Sequence, residues 1–287
     1  MKKSLLFFLT FSLGLSAFSF AAYSPTETDT KQLNDIKNVL TTVNDTDLWN
    51  YYTQFSKLQK AVSSTSSNGV DEDGRVEYLL TNLRDWSYTQ FSMRKNLVQQ
   101  QSKEEKADFL ERYKYWILLD EEVSGNCLWR YNTLDNLSFA NNFPTALTIA
   151  VWYRESTCGY TLPRNGYGPF QIISKDYGSG TISEEVFVQT VQDFFDFSRN
   201  KIDRYNERNA GSELNIWLSY REASQTDLLR FAALYNGLSG GTVYGEIAPA
   251  APKYFYEGYA NEVWTGESRK DWIFPMYLKV LEWELNN

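Results

Sequence analysis

The chain has 287 residues, 43% hydrophobic and 16% aromatic, enough for one large or two modest domains with a real core; that composition excludes a disordered polypeptide. With 28 basic residues against 36 acidic ones the net charge is −8, which opposes nucleic acid as a partner. There is no histidine and only two cysteines. Ser-His-Asp and Cys-His catalysis and the usual zinc sites are therefore excluded, and no cofactor is implied.

The N-terminus reads as a secretory signal over residues 1–21. Lys2 and Lys3 form a basic head, Leu5 to Ala17 an apolar run, and Ser19-Phe20-Ala21 a small-residue cleavage site. An uncleaved membrane anchor is the alternative, since the apolar run nearly reaches spanning length. The expected location is exported: periplasmic, or extracellular at the cell envelope. Without Lys2 and Lys3, 26 basic residues face 36 acidic ones, a net charge near −10.

Residues 22–125 read as a helical bundle or hairpin region of unknown role. After a loose stretch to Thr30, Leu33, Ile36, Val39 and Leu40 fall at helical spacing. The Asn44-Asp45-Thr46-Asp47 cluster caps a second helix to about Val62. A third helix is expected over roughly 76–100. Ser102-Lys103-Glu104-Glu105 has the form of a capping box that opens a fourth, to about Glu122. No chemical motif marks this region, so packing or a protein partner is its expected role.

Residues 126–287 form the second expected domain. Pro144 starts a helix, with Asn142 as candidate cap, and its residues Leu147, Ile149, Ala150, Val151 and Trp152 are apolar on most sides, as in a buried helix. Residues 157–181 are rich in Gly and Tyr around the run Phe170-Gln171-Ile172-Ile173, which predicts a small hairpin or irregular lobe. Amphipathic helices follow over 183–209, 226–235 (ended by Gly237), 253–264 and 275–285.

Cys127 and Cys158 are an even pair in an exported chain, which suggests one disulfide; two buried free thiols are the alternative. If the preceding helix continues, Cys158 shares a face with Glu155.

Three features carry chemistry. Glu155 ends the apolar helix, where burial raises a carboxyl's pKa and suits it to general acid work; the bland reading is a solvated carboxylate paired with Arg154. Gly168-Pro169-Phe170-Gln171-Ile172 is a tight turn whose Gln offers donor and acceptor to a sugar; the bland reading is an ordinary β-turn. Tyr235-Asn236 at a helix end offers a hydroxyl and an amide, or else a core aromatic and a cap.

The ordered set of Glu155-Ser156, Gly168 to Ile172 and Tyr235-Asn236 resembles the lysozyme-like lytic transglycosylases, the soluble lytic transglycosylase and goose-type lysozyme group, over residues 144–287. The resemblance implies a mainly α, lysozyme-like fold with a small β-hairpin lobe, preceded here by the N-terminal helical region. It implies peptidoglycan glycan strands as substrate, cleaved between N-acetylmuramic acid and N-acetylglucosamine. Glu155 would act first as acid and then as base toward the muramoyl C6 hydroxyl, giving a 1,6-anhydro end. Ser156 would orient locally; Gly168, Phe170 and Gln171 would shape the cleft floor; Tyr235 and Asn236 would contact the sugar or Glu155. Tyr254, or Tyr256, would reach over the cleft. The 157–167 loop departs from the family pattern, and no second carboxylate is clearly placed, Asp176 being the nearest downstream. A hydrolytic lysozyme, or a glycan-binding scaffold without turnover, would share these residues.

Overall fold

The computed structural model describes residues 23–65, 74–114, 122–162, 167–172, 174–178, 180–211, 213–216, 227–228, 231, 234–235 and 273–287. The expected signal segment over 1–21, Asn236, Tyr254, Tyr256 and the expected helix over 253–264 lie outside the described residues. The described residues are mainly α-helical, with eight helices and a single two-residue strand pair. None of these helices is long and apolar enough to cross a membrane. The chain divides into two compact units, residues 1–96 and 97–287.

The first unit holds α1 (Glu27–Leu40), α2 (Asp45–Thr65) and the first part of α3 (Arg75–Tyr113). Helix α1 starts earlier than its apolar spacing predicts. Thr26 and Asp29 form a capping box: the Asp29 amide donates to Thr26 Oγ1 at 3.2 Å and the Thr26 amide to Asp29 Oδ2 at 2.9 Å. Asp29 is fully buried and also accepts from Arg75 Nε at 2.6 Å and from the Tyr23 hydroxyl. These donors, Tyr23 first, hold its carboxyl well below the usual carboxylate range. Asn44 Oδ1 accepts the Asp47 amide at 2.8 Å, the expected cap of α2. Leu33, Leu40, Phe55, Leu80 and Leu83 make the core of this unit.

Helix α3 corrects the expectation of two helices. Ser102 does not open a new helix; it is buried and its hydroxyl donates back to the Gln99 carbonyl at 3.2 Å. The reason is compositional: 75–113 contains neither Gly nor Pro, and the Lys and Glu after Ser102 are good helix formers.

The second unit is built around α6. Besides the remainder of α3, its helices among the described residues are α4 (Gly125–Leu128), α5 (Tyr131–Ala140), α6 (Thr145–Ser156), α7 (Glu184–Arg208) and α8 (Ile273–Asn286). Every residue of α6 from Thr145 to Trp152 is buried, as the all-round apolar sequence predicts, and α8 and α5 pack against it. Its polar members are satisfied: Thr145 Oγ1 donates to Asp135 at 3.0 Å, and Thr148 Oγ1 donates to the Pro144 carbonyl at 3.2 Å. Asn142 is not its cap. Pro144 occupies the N-cap position with no side-chain hydrogen bond, while Asn142 takes a left-handed turn at φ +53°. Ser183 caps α7 by accepting the Val186 amide at 3.2 Å. Phe143 meets Phe194, Phe195 and Phe231 beside it.

The strand pair is β1 (Thr161–Leu162) with β2 (Gly180–Thr181), antiparallel, Thr161 opposite Thr181. The run with strand character, 170–173, supplies no strand; its described residues 170–172 form a turn and its exit, and Phe170 and Ile172 are apolar because they bury into the core.

Candidate active site

Glu155 sits in the last turn of α6, which ends one residue later. The helix does not continue to Cys158. Thr157 and Cys158 both turn left-handed, at φ +52° and +54°, and the Gly159 amide returns to the Ser156 carbonyl at 2.9 Å. Ser156 is absorbed in this end: its hydroxyl donates to the Trp152 carbonyl at 3.3 Å and accepts the Gly159 amide at 3.2 Å. Cys158 is bonded to Cys127, with 5.1 Å between the Cα atoms, so the residues after Glu155 are tied covalently to α4.

The Glu155 side chain is half-buried, and burial pushes its carboxyl above the usual value, with Arg154 pulling the other way. Arg154 itself is exposed and makes no salt bridge to it among the described residues. Nor does any hydrogen-bond donor among them hold the carboxyl. Desolvation without a partner favours the protonated acid.

The 168–171 turn is fixed from several sides. Gly168 adopts φ +74°, and a Cβ placed there would lie 2.6 and 2.7 Å from Tyr177 ring atoms. The Gly168 carbonyl accepts both the Gln171 amide and Gln171 Nε2, each at 3.1 Å, and the Ile172 amide returns to the Tyr167 carbonyl at 3.1 Å. Gln171 itself has φ +53°, a left-handed conformation that is uncommon outside glycine. Phe170 is buried and stacks on Phe194, with ring centres 4.6 Å apart.

Tyr235 joins the two pieces. It is 8% exposed, surrounded by Phe194, Phe197 and Phe231, and its hydroxyl donates to the Phe170 carbonyl. Burial lifts its phenol well above the usual value. The neighbouring Glu155 carboxylate lifts it further, as does Tyr177. Tyr235 thus binds the turn that holds Gly168, Phe170 and Gln171, and the charge of Glu155 is felt at its phenol.

Several supporting residues carry no sequence motif. Asp193 of α7 is buried and accepts from Tyr177 Oη at 2.8 Å, Lys175 Nζ at 2.9 Å and Gln189 Nε2 at 3.2 Å. Lys201 Nζ donates to the carbonyls of Leu234 at 2.6 Å and Tyr235 at 3.3 Å, and burial lowers its pKa. Behind the disulfide, the Arg130 guanidinium lies among the Trp129, Tyr160 and Phe187 rings at 4.5 to 5.3 Å and pairs with Glu184. Asp176 is exposed and accepts the Gly178 amide at 2.9 Å, a local turn contact. Among the described residues no cluster of three or more carboxylate or thiol groups is placed to hold a metal ion. No family model, curated protein or solved structure matches this chain.

Proposed function

We propose that the protein is an exported lytic transglycosylase of lysozyme-like fold that cleaves the β-1,4 bond between N-acetylmuramic acid and N-acetylglucosamine in peptidoglycan. The observation that carries this reading is Glu155 at the end of a buried helix: a carboxyl raised by burial, held by no donor among the described residues, whose charge is felt at Tyr235, the residue that binds the Gln171 turn. Burial shifts such an acid toward the protonated form that general acid work needs.

In this reading Glu155 protonates the glycosidic oxygen as the bond from C1 breaks. The resulting carboxylate then takes the proton of the muramoyl C6 hydroxyl, whose oxygen bonds to C1 and closes the 1,6-anhydro ring. Water is not consumed, and the proton count closes on Glu155 itself. Gln171, whose Nε2 donates to the Gly168 carbonyl in the free protein, would turn its amide to the sugar, and Tyr235 fixes the Phe170 carbonyl and with it the turn that would form the cleft floor.

Purified protein incubated with peptidoglycan, with products read by mass spectrometry, tests the proposal. The expected products are anhydro-muropeptides, lost in Glu155→Gln. Turnover that survives Glu155→Gln refutes the mechanism. Hydrated products assign the chain to hydrolysis through a positioned water, and binding of glycan without turnover leaves it a scaffold.

A further inference from the structure

Asp193 lies on the buried side of α7, immediately before Phe194 and Phe195, in surroundings where a carboxylate is expensive unless its lone pairs are filled. Three side chains fill them. Gln189 comes from the preceding turn of the same helix. Lys175 and Tyr177 come from the segment that follows the 168–171 turn, and so pin that segment onto α7.

The pin has a steric consequence one step further on. The Tyr177 ring occupies the volume where a side chain at position 168 would begin, with Thr190 of α7 close by at 3.5 Å. The backbone of Gly168 therefore rests against a ring whose hydroxyl is anchored. The carbonyl of this same Gly168 accepts both donors of Gln171 that define the turn. A left-handed conformation at a non-glycine residue persists only where its surroundings over-determine it. Here the Tyr177 wall acts at Gly168 and the Tyr235 hydroxyl acts at Phe170, with Gln171 next in the chain.

We propose that Asp193, acting through Tyr177, is a positioning residue for the Gln171 turn; its kinetic consequence rests on the glycan-cleaving function proposed above. Neither residue touches substrate in this scheme. Asp193 holds Tyr177, Tyr177 walls Gly168, and Gly168 fixes the angle at which Gln171 is presented.

Tyr177→Phe keeps the ring and removes the anchor, so it is the informative variant, with Asp193→Asn and the double variant completing a cycle. Two readouts are taken on the full chain: amide hydrogen exchange at Gln171 and Ile172, and kcat and KM on peptidoglycan. Loss of one hydrogen bond predicts exchange at these amides about fivefold faster in Tyr177→Phe. It also predicts KM raised about fivefold with kcat within about twofold, because Glu155 is untouched. Asp193→Asn in the Tyr177→Phe background is expected to add nothing further to KM. Unchanged exchange in Tyr177→Phe overturns the proposal, as does an Asp193→Asn effect that persists in full without the Tyr177 hydroxyl. The exchange measurement needs no substrate. Faster exchange in a protein that fails to cleave peptidoglycan therefore supports the positioning role while removing the proposed activity, and the two failures stay distinct.

Discussion

Replacing both bridge cysteines, as Cys127→Ala with Cys158→Ala, removes a crosslink between residues 31 positions apart. In the chain-entropy description, closing a loop of that length lowers the denatured state's entropy enough to be worth about 3.7 kcal/mol at 25 °C. One native term opposes this. Thr157 and Cys158 both hold positive φ, and without the bridge that stretch is free to relax, recovering roughly 1–2 kcal/mol. Both sulfurs are fully buried, so the two alanines also lose packing, which restores part of the difference. The expected net loss is roughly 2–4 kcal/mol, the loop term dominating. Urea denaturation of the oxidised protein against the double variant, followed by tryptophan fluorescence, measures it. A loss below about 1 kcal/mol would mean that the bridge adds little to chain closure, and would refute the claim that it restrains the segment after Glu155.

Gly168→Ala drives a methyl into the Tyr177 ring at a positive φ and is expected to cost about 2 kcal/mol or more in thermal denaturation, whereas alanine at the open Gly125 is tolerated. Tyr235→Phe leaves the Phe170 carbonyl without its donor and is expected to cost about 1–3 kcal/mol and to slow glycan cleavage, read by paired unfolding and turnover assays. Asp29→Ala removes one of the acceptors of Arg75 and the α1 capping box, costing about 1–3 kcal/mol in urea unfolding of the first unit at neutral pH. Because the folded carboxyl of Asp29 titrates well below its ordinary value of 3.8, that contribution is present above pH 3.8 and lost as pH falls further, so Asp29→Asn flattens the acid limb of a stability–pH curve. Glu155 has the opposite sign: its raised carboxyl makes stability fall as pH rises from 4.5 through the folded value. Glu155→Gln is therefore expected to be more stable than the parent at neutral pH, and the gain to vanish in acid.

Much of this fold was legible in apolar spacing. The buried character of α6 follows from Leu147 to Trp152, and the Ser183 start of α7 follows from its hydroxyl and the phenylalanines beyond it. The disulfide was legible from an even cysteine count in a chain whose N-terminus reads as an export signal, though its geometry was not: the helix stops before Cys158, at two left-handed residues that are not glycine, and β-branched Thr157 gives no warning of that. Phe170 and Ile172 looked like strand because an apolar run has the same composition whether it pairs with a neighbour or buries in a turn. Ser102 looked like a cap because capping and back-bonding inside a helix use the same hydroxyl.

Within the site, Glu155 and Gly168 to Gln171 announced themselves by residue type, whereas Asp193 and Lys201 did not. Both read as polar positions on an amphipathic helix, and only the packing shows that they face inward. The one signal for Asp193 was its place beside Phe194 and Phe195, an acid at the edge of the apolar stripe.

If residues 1–21 are a leader, the corner around Asp29 bears on the order of cutting and folding. If the leader is cut after Ala21, Tyr23 is the second residue of the new terminus, and its hydroxyl donates to the buried Asp29, which Thr26 and Arg75 also contact. A peptidase binds an extended stretch on both sides of the bond it cuts, and Tyr23 cannot be extended in its groove and docked on Asp29 at once. Cutting and completing this corner therefore exclude each other in time. On that condition, a chain that docks Tyr23 first would shield the cleavage site, while a chain cut first would gain the cluster afterwards.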